Sequence, residues 1–332
     1  MFAWIVDHPG PIDERPLRRV EREYPEPGAG QLRVAVTCCG VCRTDLHLAE
    51  GDLPPRRSGV VPGHEVVGRV DALGAGANRF RVGDRVGVPW LGLTDGTCRF
   101  CRRGHENLCL APVFTGWDRD GGYADACLVD EGYVYSLGDA LDDEHAAPLL
   151  CAGIIGYRAL RCADVPAGGR LGIYGFGASA HLAAQVALHQ GLRVHVLTRG
   201  ENNRKLASNL GVDSVGAATD RPPEALDGAI LFAPAGDLVP VALRALDRGG
   251  TLAVAGIWLS DVPSLNYADE LFLERRLRSV TANTRADGED FLRLAARFGI
   301  RPTTVGYPMA DAPAALADLK HGRYSGAAIL HN

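Results

Sequence analysis

Short runs of alternating apolar and polar residues fill the chain before about residue 145, and they are typical of β-strands. Gln31–Cys38 follows this alternation, and Glu65–Val70 and Arg85–Val88 are similar short segments. Proline and glycine separate the segments, as in Pro25–Gly28 and Arg81–Asp84. The pattern predicts a mostly antiparallel β domain with little helix.

The pattern changes near Glu144, where apolar residues begin to recur at helical spacing. Ala146–Cys162 is predicted as one helix, and Ala163–Gly169 as the loop that follows it. Strand-like and helix-like segments then alternate through Arg170–Tyr174, Ala180–His189, Arg193–Leu197, Asn203–Leu210, Gly228–Phe232, Leu238–Ala245 and Thr251–Ala255. Such alternation predicts a parallel, doubly wound sheet.

The last part of the chain, after about residue 285, mixes both patterns. It contains helices at Glu289–Phe298 and Asp311–His321 and a final strand at Gly326–Leu330. We assign this tail to the first domain. The sequence thus predicts an α/β protein with a β-rich domain at 1–150 and 285–332 and a doubly wound domain at 151–284. A length of 332 residues agrees with two domains, because a single core seldom grows so large.

Charge and cysteine content narrow the partners and the compartment. A net charge of −5 argues against nucleic acid or an acidic membrane as the main partner. Apolar runs such as Thr251–Leu259 are too short to span a membrane, and Met1–Asp7 lacks the basic start of a signal peptide. Nine cysteines in such a chain favour metal ligands and buried thiols over disulfides, and we expect a cytoplasmic protein.

A glycine-rich turn joins the strand that ends at Tyr174 to the next helix. The spacing Gly-x-Gly-x-x-Ala allows a tight turn, close approach of the backbone to a pyrophosphate and close packing of helix on strand. The alternative is an ordinary glycine turn without a nucleotide. The context favours a dinucleotide site formed by Gly175, Phe176, Gly177, Ala178, Ser179 and Ala180.

The second strand of this domain ends at Leu197 and is followed by Thr198 and Arg199. Sites that prefer NAD usually carry an acidic residue here, which bonds the ribose 2′-hydroxyl. A hydroxyl and a guanidinium would instead bind a 2′-phosphate, so NADP is favoured over NAD. Alternatively, Arg199 stacks on the adenine or faces water, and Glu201 supplies the acid.

Three distant segments each offer one zinc-type ligand: Cys42, His64 and Cys151. Two cysteines and one histidine leave the fourth tetrahedral position open, as in a catalytic zinc site. Taken singly, each cysteine is as readily explained as a small buried apolar residue. Zinc beside a dinucleotide implies hydride transfer at a carbon–oxygen bond.

Over essentially its whole length the chain resembles the zinc-dependent medium-chain dehydrogenase/reductase family, the alcohol dehydrogenases. The resemblance is carried by CGVCRTDLH (39–47), PGHE (62–65), GDRV (83–86), CxxCx₇C (98–109) and YGFGASAH (174–181). It implies a GroES-like catalytic domain that is split in sequence around a Rossmann domain. It also implies a homodimer or homotetramer that acts on a small-molecule alcohol or aldehyde.

Site residues follow from the resemblance position by position. Cys42, His64 and Cys151 match the ligands of the catalytic zinc, and Glu65 matches an acidic residue close to the metal. Asp45 matches a carboxylate that orients the histidine ligand. Thr44 matches the hydroxyl that accepts the alcohol proton, and His47 the histidine that passes it on. Alternatively, Thr44 is only a turn residue and His47 is an ordinary surface histidine.

The resemblance also assigns residues to the cofactor and the substrate. Arg43 and Arg285 match pyrophosphate ligands, for which the guanidinium is well suited; for Arg285 the alternative is a solvent-facing salt bridge. Trp90 is placed beside the substrate, where it favours small or planar apolar alcohols. Leu53, Trp117 and Trp258 are further candidates, although a tryptophan is more often core. Ile155 replaces a common threonine near the nicotinamide.

A second cluster resembles the structural zinc lobe of the family, with one departure. The lobe normally carries four cysteines, but the first position here is Asp95, followed by Cys98, Cys101 and Cys109. A carboxylate can ligate zinc, so an Asp-Cys₃ site is expected, weaker than Cys₄. The alternative is a lobe without metal.

The sequence therefore predicts a zinc-dependent oxidoreductase that interconverts a primary or secondary alcohol and its aldehyde or ketone with NAD(P). Two alternatives stay open at this point. One is a zinc-free quinone or enoyl reductase of the same fold, and the other a non-catalytic NADPH-binding protein.

Overall fold

The computed structural model describes all 332 residues and contains seventeen strands. In chain order they are β1 (Phe2–Val6), β2 (Leu17–Glu21), β3 (Gln31–Val41), β4 (Val66–Leu73), β5 (Arg85–Val88), β6 (Leu91–Leu93), β7 (Val113–Phe114), β8 (Ala126–Asp130), β9 (Tyr135–Ser136), β10 (Arg170–Tyr174), β11 (Arg193–Leu197), β12 (Ser214–Gly216), β13 (Leu226–Leu231), β14 (Leu246–Val254), β15 (Arg276–Ser279), β16 (Thr304–Pro308) and β17 (Ala327–His331).

Eight α-helices accompany the strands. They are α1 (Arg43–Glu50), α2 (Asp143–Ala146), α3 (Ala152–Ala163), α4 (Ala178–His189), α5 (Glu201–Asn209), α6 (Leu238–Ala245), α7 (Arg285–Phe298) and α8 (Ala312–His321). No single helix is long and apolar enough to cross a membrane, although Asp143–Leu150 and Ala152–Ala163, taken together across their bend, meet that test of length and composition.

The chain forms two compact units. The first contains Met1–Cys151, Ala282–Leu292 and Arg301–Asn332, and the second contains Ala152–Thr281 and Arg293–Ile300. These bounds differ from the expected ones chiefly at Arg293–Ile300, which belongs with the second unit.

The first unit is built on a seven-stranded sheet in the order β16-β17-β3-β4-β5-β9, with β8 also paired to β3. All neighbours run antiparallel except β16 and β17. The central strand β3 alternates buried and partly exposed side chains until Val36 and is then buried from Cys38 to Val41. The predicted antiparallel β domain is confirmed, and the buried end of β3 leads directly to Cys42.

The second unit is a six-stranded parallel sheet in the order β12-β11-β10-β13-β14-β15. Numbered within the unit, this order is 3-2-1-4-5-6, which is that of a doubly wound dinucleotide-binding sheet. The strand order reverses beside β10, and ligands of such sheets bind at the carboxyl ends of the strands near this point. The predicted fold class is confirmed.

One local prediction was wrong, and one edge strand was missed. The single helix expected at Ala146–Cys162 is divided, since α2 passes into a 3₁₀ turn at Ala147–Leu150 and α3 starts only at Ala152. Cys151 lies in the break with φ −128° and ψ −72°. Pro148 was the overlooked signal, because proline cannot donate the backbone hydrogen bond of a helix interior. The edge strand β15 was missed because all four residues are exposed, which leaves no apolar pattern.

Candidate active site

Three chain segments of the first unit bring the predicted ligands together. Cys42 lies between β3 and α1, His64 in the turn before β4, and Cys151 in the break before α3. One ligand atom from each of these residues and one from Glu65 all lie within 4.8 Å of one another. The Sγ atoms of Cys42 and Cys151 are 4.0 Å apart. Two sulfurs bound tetrahedrally to one zinc at about 2.3 Å would be about 3.8 Å apart, so the spacing suits zinc.

The histidine is oriented for a metal. His64 is 1% exposed, and its Nδ1 lies 3.2 Å from Oδ1 of Asp45. Its Nε2 is buried without a hydrogen-bond partner. A buried nitrogen without a partner is costly, and a metal ion at the sulfurs would satisfy it. The donor set and this orphaned nitrogen both fit a zinc ion.

The ionisable groups of the cluster shift one another's pKa values. The hydrogen bond from Cys151 lowers the pKa of Cys42 well below its usual value, against the effect of burial, and His64 contributes in the same sense. The same bond, with burial, raises the pKa of Cys151 well above its usual value. Although burial acts against it, the charge of Asp45 and its hydrogen bond raise the pKa of His64. Cys42 is therefore the favoured thiolate, and thiolate is the form that binds metals.

The side chain of Glu65 occupies a space that is free only because residue 40 is glycine. A Cβ at Gly40 would lie 1.9 Å from Oε2 of Glu65. Glu65 is 3% exposed, and burial, followed by the nearby Cys42, raises its pKa well above the usual value. The carboxyl group is therefore held against the cluster in a site that favours its neutral form.

The two predicted proton-transfer residues lie on α1, immediately after Cys42. The Oγ1 of Thr44 is 3.6 Å from the Sγ of Cys42. The Nδ1 of His47 is 3.0 Å from Oδ2 of Asp52, a residue that the sequence analysis missed. If Nδ1–H donates to this carboxylate, Nε2 is left free to accept a proton. The relay roles of Thr44 and His47 stay predictions.

The nucleotide turn in the second unit has the expected geometry. Gly175 follows β10 with φ +86°, and a Cβ there would lie 2.8 Å from the backbone nitrogen of Ala233. Gly177 precedes α4 and has open space around it, while Ala180 is fully buried. The free N–H groups at the start of a twelve-residue helix suit a pyrophosphate.

The residues after β11 bear on the choice of cofactor. Thr198 is 2% exposed and its Oγ1 donates to the carbonyl of Arg199, at 3.4 Å. Arg199 itself is exposed. Glu201, the acid of the alternative reading, is paired with Arg204 at 3.0 Å. Arg204 was not identified from the sequence, and its positive charge is balanced by that of Glu201.

The two arginines expected at the pyrophosphate differ in their surroundings. Arg43 is the exposed first residue of α1. Arg285 is held by Glu106 through an ion pair of 2.7 Å, and its guanidinium also lies 4.6 Å from the centre of the Tyr133 ring. Its phosphate-binding role stays a prediction, and this ion pair competes with it.

The second cluster in the first unit is local in sequence. Ligand atoms of Asp95, Cys98, Cys101 and Cys109 lie within 4.8 Å of one another, and the Sγ atoms of Cys98 and Cys101 are 3.6 Å apart. Oδ1 of Asp95 accepts backbone N–H groups of Thr97 and Cys98, each at 2.8 Å. Those two bonds lower the pKa of Asp95 well below its usual value. The carboxylate therefore stays ionised, as a metal ligand must.

An aromatic stack adjoins the first cluster. Trp90 meets the ring of His64 edge-on at 4.8 Å and stacks on Phe114 at 4.8 Å and on Trp117 at 5.9 Å. The sequence analysis had not identified Phe114. Arg56 lies 3.8 Å from the centre of the Trp117 ring. Trp258 belongs to the second unit and is 53% exposed.

Known proteins resemble this chain in both halves. The sequence model of the alcohol dehydrogenase GroES-like domain matches residues 28–139, and that of zinc-binding dehydrogenases matches residues 180–297. A probable alcohol dehydrogenase, AdhA, of Mycobacterium tuberculosis is 57% identical, covering 99% of this chain and 97% of that protein. An alcohol dehydrogenase of Geobacillus stearothermophilus is 33% identical and covers 96% of both.

Solved structures agree. The CAD of Helicobacter pylori, complexed with NADP(H), has a TM-score of 0.89 at 26% identity and covers 99% of this chain and 97% of its own. With the clusters and the doubly wound sheet, these matches confirm the family inferred from the motifs. The chain belongs to the zinc-type medium-chain dehydrogenase/reductase family, and its activity is the oxidoreduction of alcohols and aldehydes.

Proposed function

We propose that this enzyme depends on zinc held by Cys42, His64 and Cys151, and that it moves a hydride between a primary or secondary alcohol and NAD(P). The observation that carries the proposal is the buried Nε2 of His64, an atom without a hydrogen-bond partner in a side chain whose ligand atom lies within 4.8 Å of two sulfurs. Zinc at this position would supply a Lewis acid that lowers the pKa of a bound hydroxyl and polarises a carbonyl.

The chain's own residues would hold this site and move the proton. Cys42, as the favoured thiolate, and Cys151 supply the sulfurs, and Asp45 fixes the imidazole of His64. The hydroxyl of Thr44 accepts the proton of the alcohol and passes its own proton on toward His47. Nε2 of His47 carries it away, because Asp52 holds Nδ1.

The decisive experiment measures metal and turnover in the same sample. The purified protein should contain zinc and reduce NAD(P) when an alcohol is added, with a rise in absorbance at the nicotinamide band. Removal of zinc by a chelator should abolish the reaction, and added zinc should restore it. Turnover without zinc would indicate a zinc-free quinone or enoyl reductase, and neither zinc nor turnover a non-catalytic NADPH-binding protein.

We propose NADP as the preferred cofactor. Thr198 and Arg199 occupy the corner that an acid fills in NAD sites, and the acid of the alternative, Glu201, is paired with Arg204. The relative solved with NADP(H) agrees with this choice. Thr198→Asp should repel a 2′-phosphate and shift the ratio of kcat/KM for NADP and NAD toward NAD, and Thr198→Ser is the matched control. An unchanged ratio for Thr198→Asp would mean that the phosphate is recognised elsewhere.

Three further proposals concern substrate, second metal and assembly. The stack of Trp90, Phe114 and Trp117 favours small or planar apolar alcohols, and a second zinc is expected at the Asp95 cluster.

A homodimer or homotetramer is expected in the cytoplasm. Support for self-association comes from the unpaired edge of β15 and from exposed apolar residues of the same unit: Ile257, Trp258, Tyr267 and Phe272.

A further inference from the structure

A tyrosine that no motif singled out lies behind the first cluster. Tyr123 is fully buried, and its hydroxyl donates to Oδ2 of Asp45 at 3.3 Å. Asp45 is the carboxylate that contacts Nδ1 of His64. A continuous chain of contacts thus runs from Tyr123 through Asp45 to Nδ1 of His64, whose other nitrogen, Nε2, has no hydrogen-bond partner.

Asp45 uses all of its acceptor capacity. Oδ1 faces the backbone N–H of Gly63 at 3.0 Å and Nδ1 of His64 at 3.2 Å. Oδ2 accepts the backbone N–H of Cys42 at 2.9 Å and the hydroxyl of Tyr123. A carboxylate offers about four lone-pair sites, so each one has a partner. Because Asp45 is only 1% exposed, water cannot easily replace a lost donor.

The backbone holds this tyrosine against the turn that carries His64. The N–H groups of Gly121, Gly122 and Tyr123 donate to the carbonyls of Val61, Gly63 and Pro62 at 2.8 Å, 2.9 Å and 3.0 Å. Gly63 has φ +98°, and a Cβ there would lie 2.5 Å from the Tyr123 ring. The ring therefore fits a space next to the ligand turn, and its hydroxyl is placed by that fit.

We infer that Tyr123 is a positioning residue of the metal site: its hydroxyl fixes the carboxylate of Asp45, which in turn fixes the imidazole of His64. This inference rests on the proposed zinc site. Burial raises the pKa of Tyr123 well above its usual value, so the hydroxyl keeps the proton that it donates.

Tyr123→Phe tests the inference cleanly, because it keeps the ring that packs on Gly63 and removes only the donor. Zinc release from the reloaded protein to a chromophoric chelator gives the readout, and the phase that is absent in Cys42→Ala belongs to the first cluster. Loss of an outer hydrogen-bond partner typically weakens metal binding by 10- to 100-fold, so we expect the affinity of this phase to fall by about tenfold.

A matched control and a double-mutant cycle separate positioning from general stability. Tyr174→Phe removes another buried hydroxyl, one that has no hydrogen-bond partner, and should leave zinc release unchanged. In an Asp45→Asn background, Tyr123→Phe should add less than about twofold, because the hydroxyl acts through that carboxylate. An affinity unchanged by Tyr123→Phe, or an equal loss in the Asp45→Asn background, would overturn the inference. A wild-type protein that takes up no zinc would instead refute the proposed function.

Discussion

The two candidate metal clusters of the first unit offer similar donors in opposite settings. The first gathers Cys42, His64 and Cys151 from three distant segments and surrounds the imidazole with buried groups. The second takes Asp95, Cys98, Cys101 and Cys109 from one short stretch, and its carboxylate is exposed. The first also leaves a buried nitrogen without a protein partner, whereas Asp95 has both backbone donors of its own turn.

The two settings suit different roles for a bound metal. A site assembled from distant segments needs the whole domain to form, and its surroundings can tune charge and exclude water. A site closed within about fifteen residues fixes its own loop, and it binds metal for local stability. We therefore expect the first cluster to control turnover and the second to control stability.

The largest effect is expected at the first cluster. Cys42→Ala removes the favoured thiolate, and since a Lewis acid contributes several kcal/mol to such a transition state, turnover should fall by about 10³-fold or more. NADPH binding, followed by nicotinamide fluorescence, should be retained. Cys162→Ala, at a buried cysteine outside both clusters, is the control. Retained activity in Cys42→Ala would contradict the expectation that the first cluster controls turnover.

The second cluster should respond in stability instead of activity. Cys98→Ser should remove one zinc per chain and lower the unfolding temperature by about 5 °C, because a loss of 1–3 kcal/mol shifts the transition of a domain of this size by a few degrees. At temperatures well below the transition, kcat should stay within about twofold of wild type. Calorimetry and metal analysis measure both quantities. A large drop in kcat would mean that the two clusters are coupled.

Asp95→Asn tests whether the carboxylate of Asp95, which replaces the usual first cysteine of the lobe, is a zinc ligand. The amide oxygen can still accept the N–H groups of Thr97 and Cys98, but the charge is lost. If Asp95 is a zinc ligand, affinity at the second cluster should fall by about tenfold, as seen by chelator competition. Unchanged affinity would show that Asp95 only shapes the turn.

The smallest effect is expected at His47. His47→Gln removes the group that receives the proton and should lower kcat/KM by about tenfold in a steady-state assay. Asp52→Asn weakens the partner of Nδ1 and should lower kcat/KM by a smaller factor. An unchanged kcat/KM in His47→Gln would exclude the relay role.

The motifs indicated which residues come together in the two clusters, because they depend on short runs of residues that keep their local form. The roles of these residues as metal ligands stay predictions. Cys42 is the residue immediately before α1, and His64 follows Gly63, which has φ +98°. Contacts between residues that are far apart in the chain could not be predicted from the sequence. The partners Asp52, Phe114 and Tyr123, and the space at Gly40 for Glu65, follow from how strands and turns pack.

The two-domain α/β architecture and the glycine turn after β10 could be predicted from the sequence, because periodicity and residue spacing are local properties. The tertiary structure was needed to show that α2 and α3 are separated at Cys151, that Arg285 pairs with Glu106, and that every acceptor of Asp45 has a donor. These features depend on burial and on distances between segments far apart in the chain, and the free energy of a buried polar group is fixed only once its neighbours are in place.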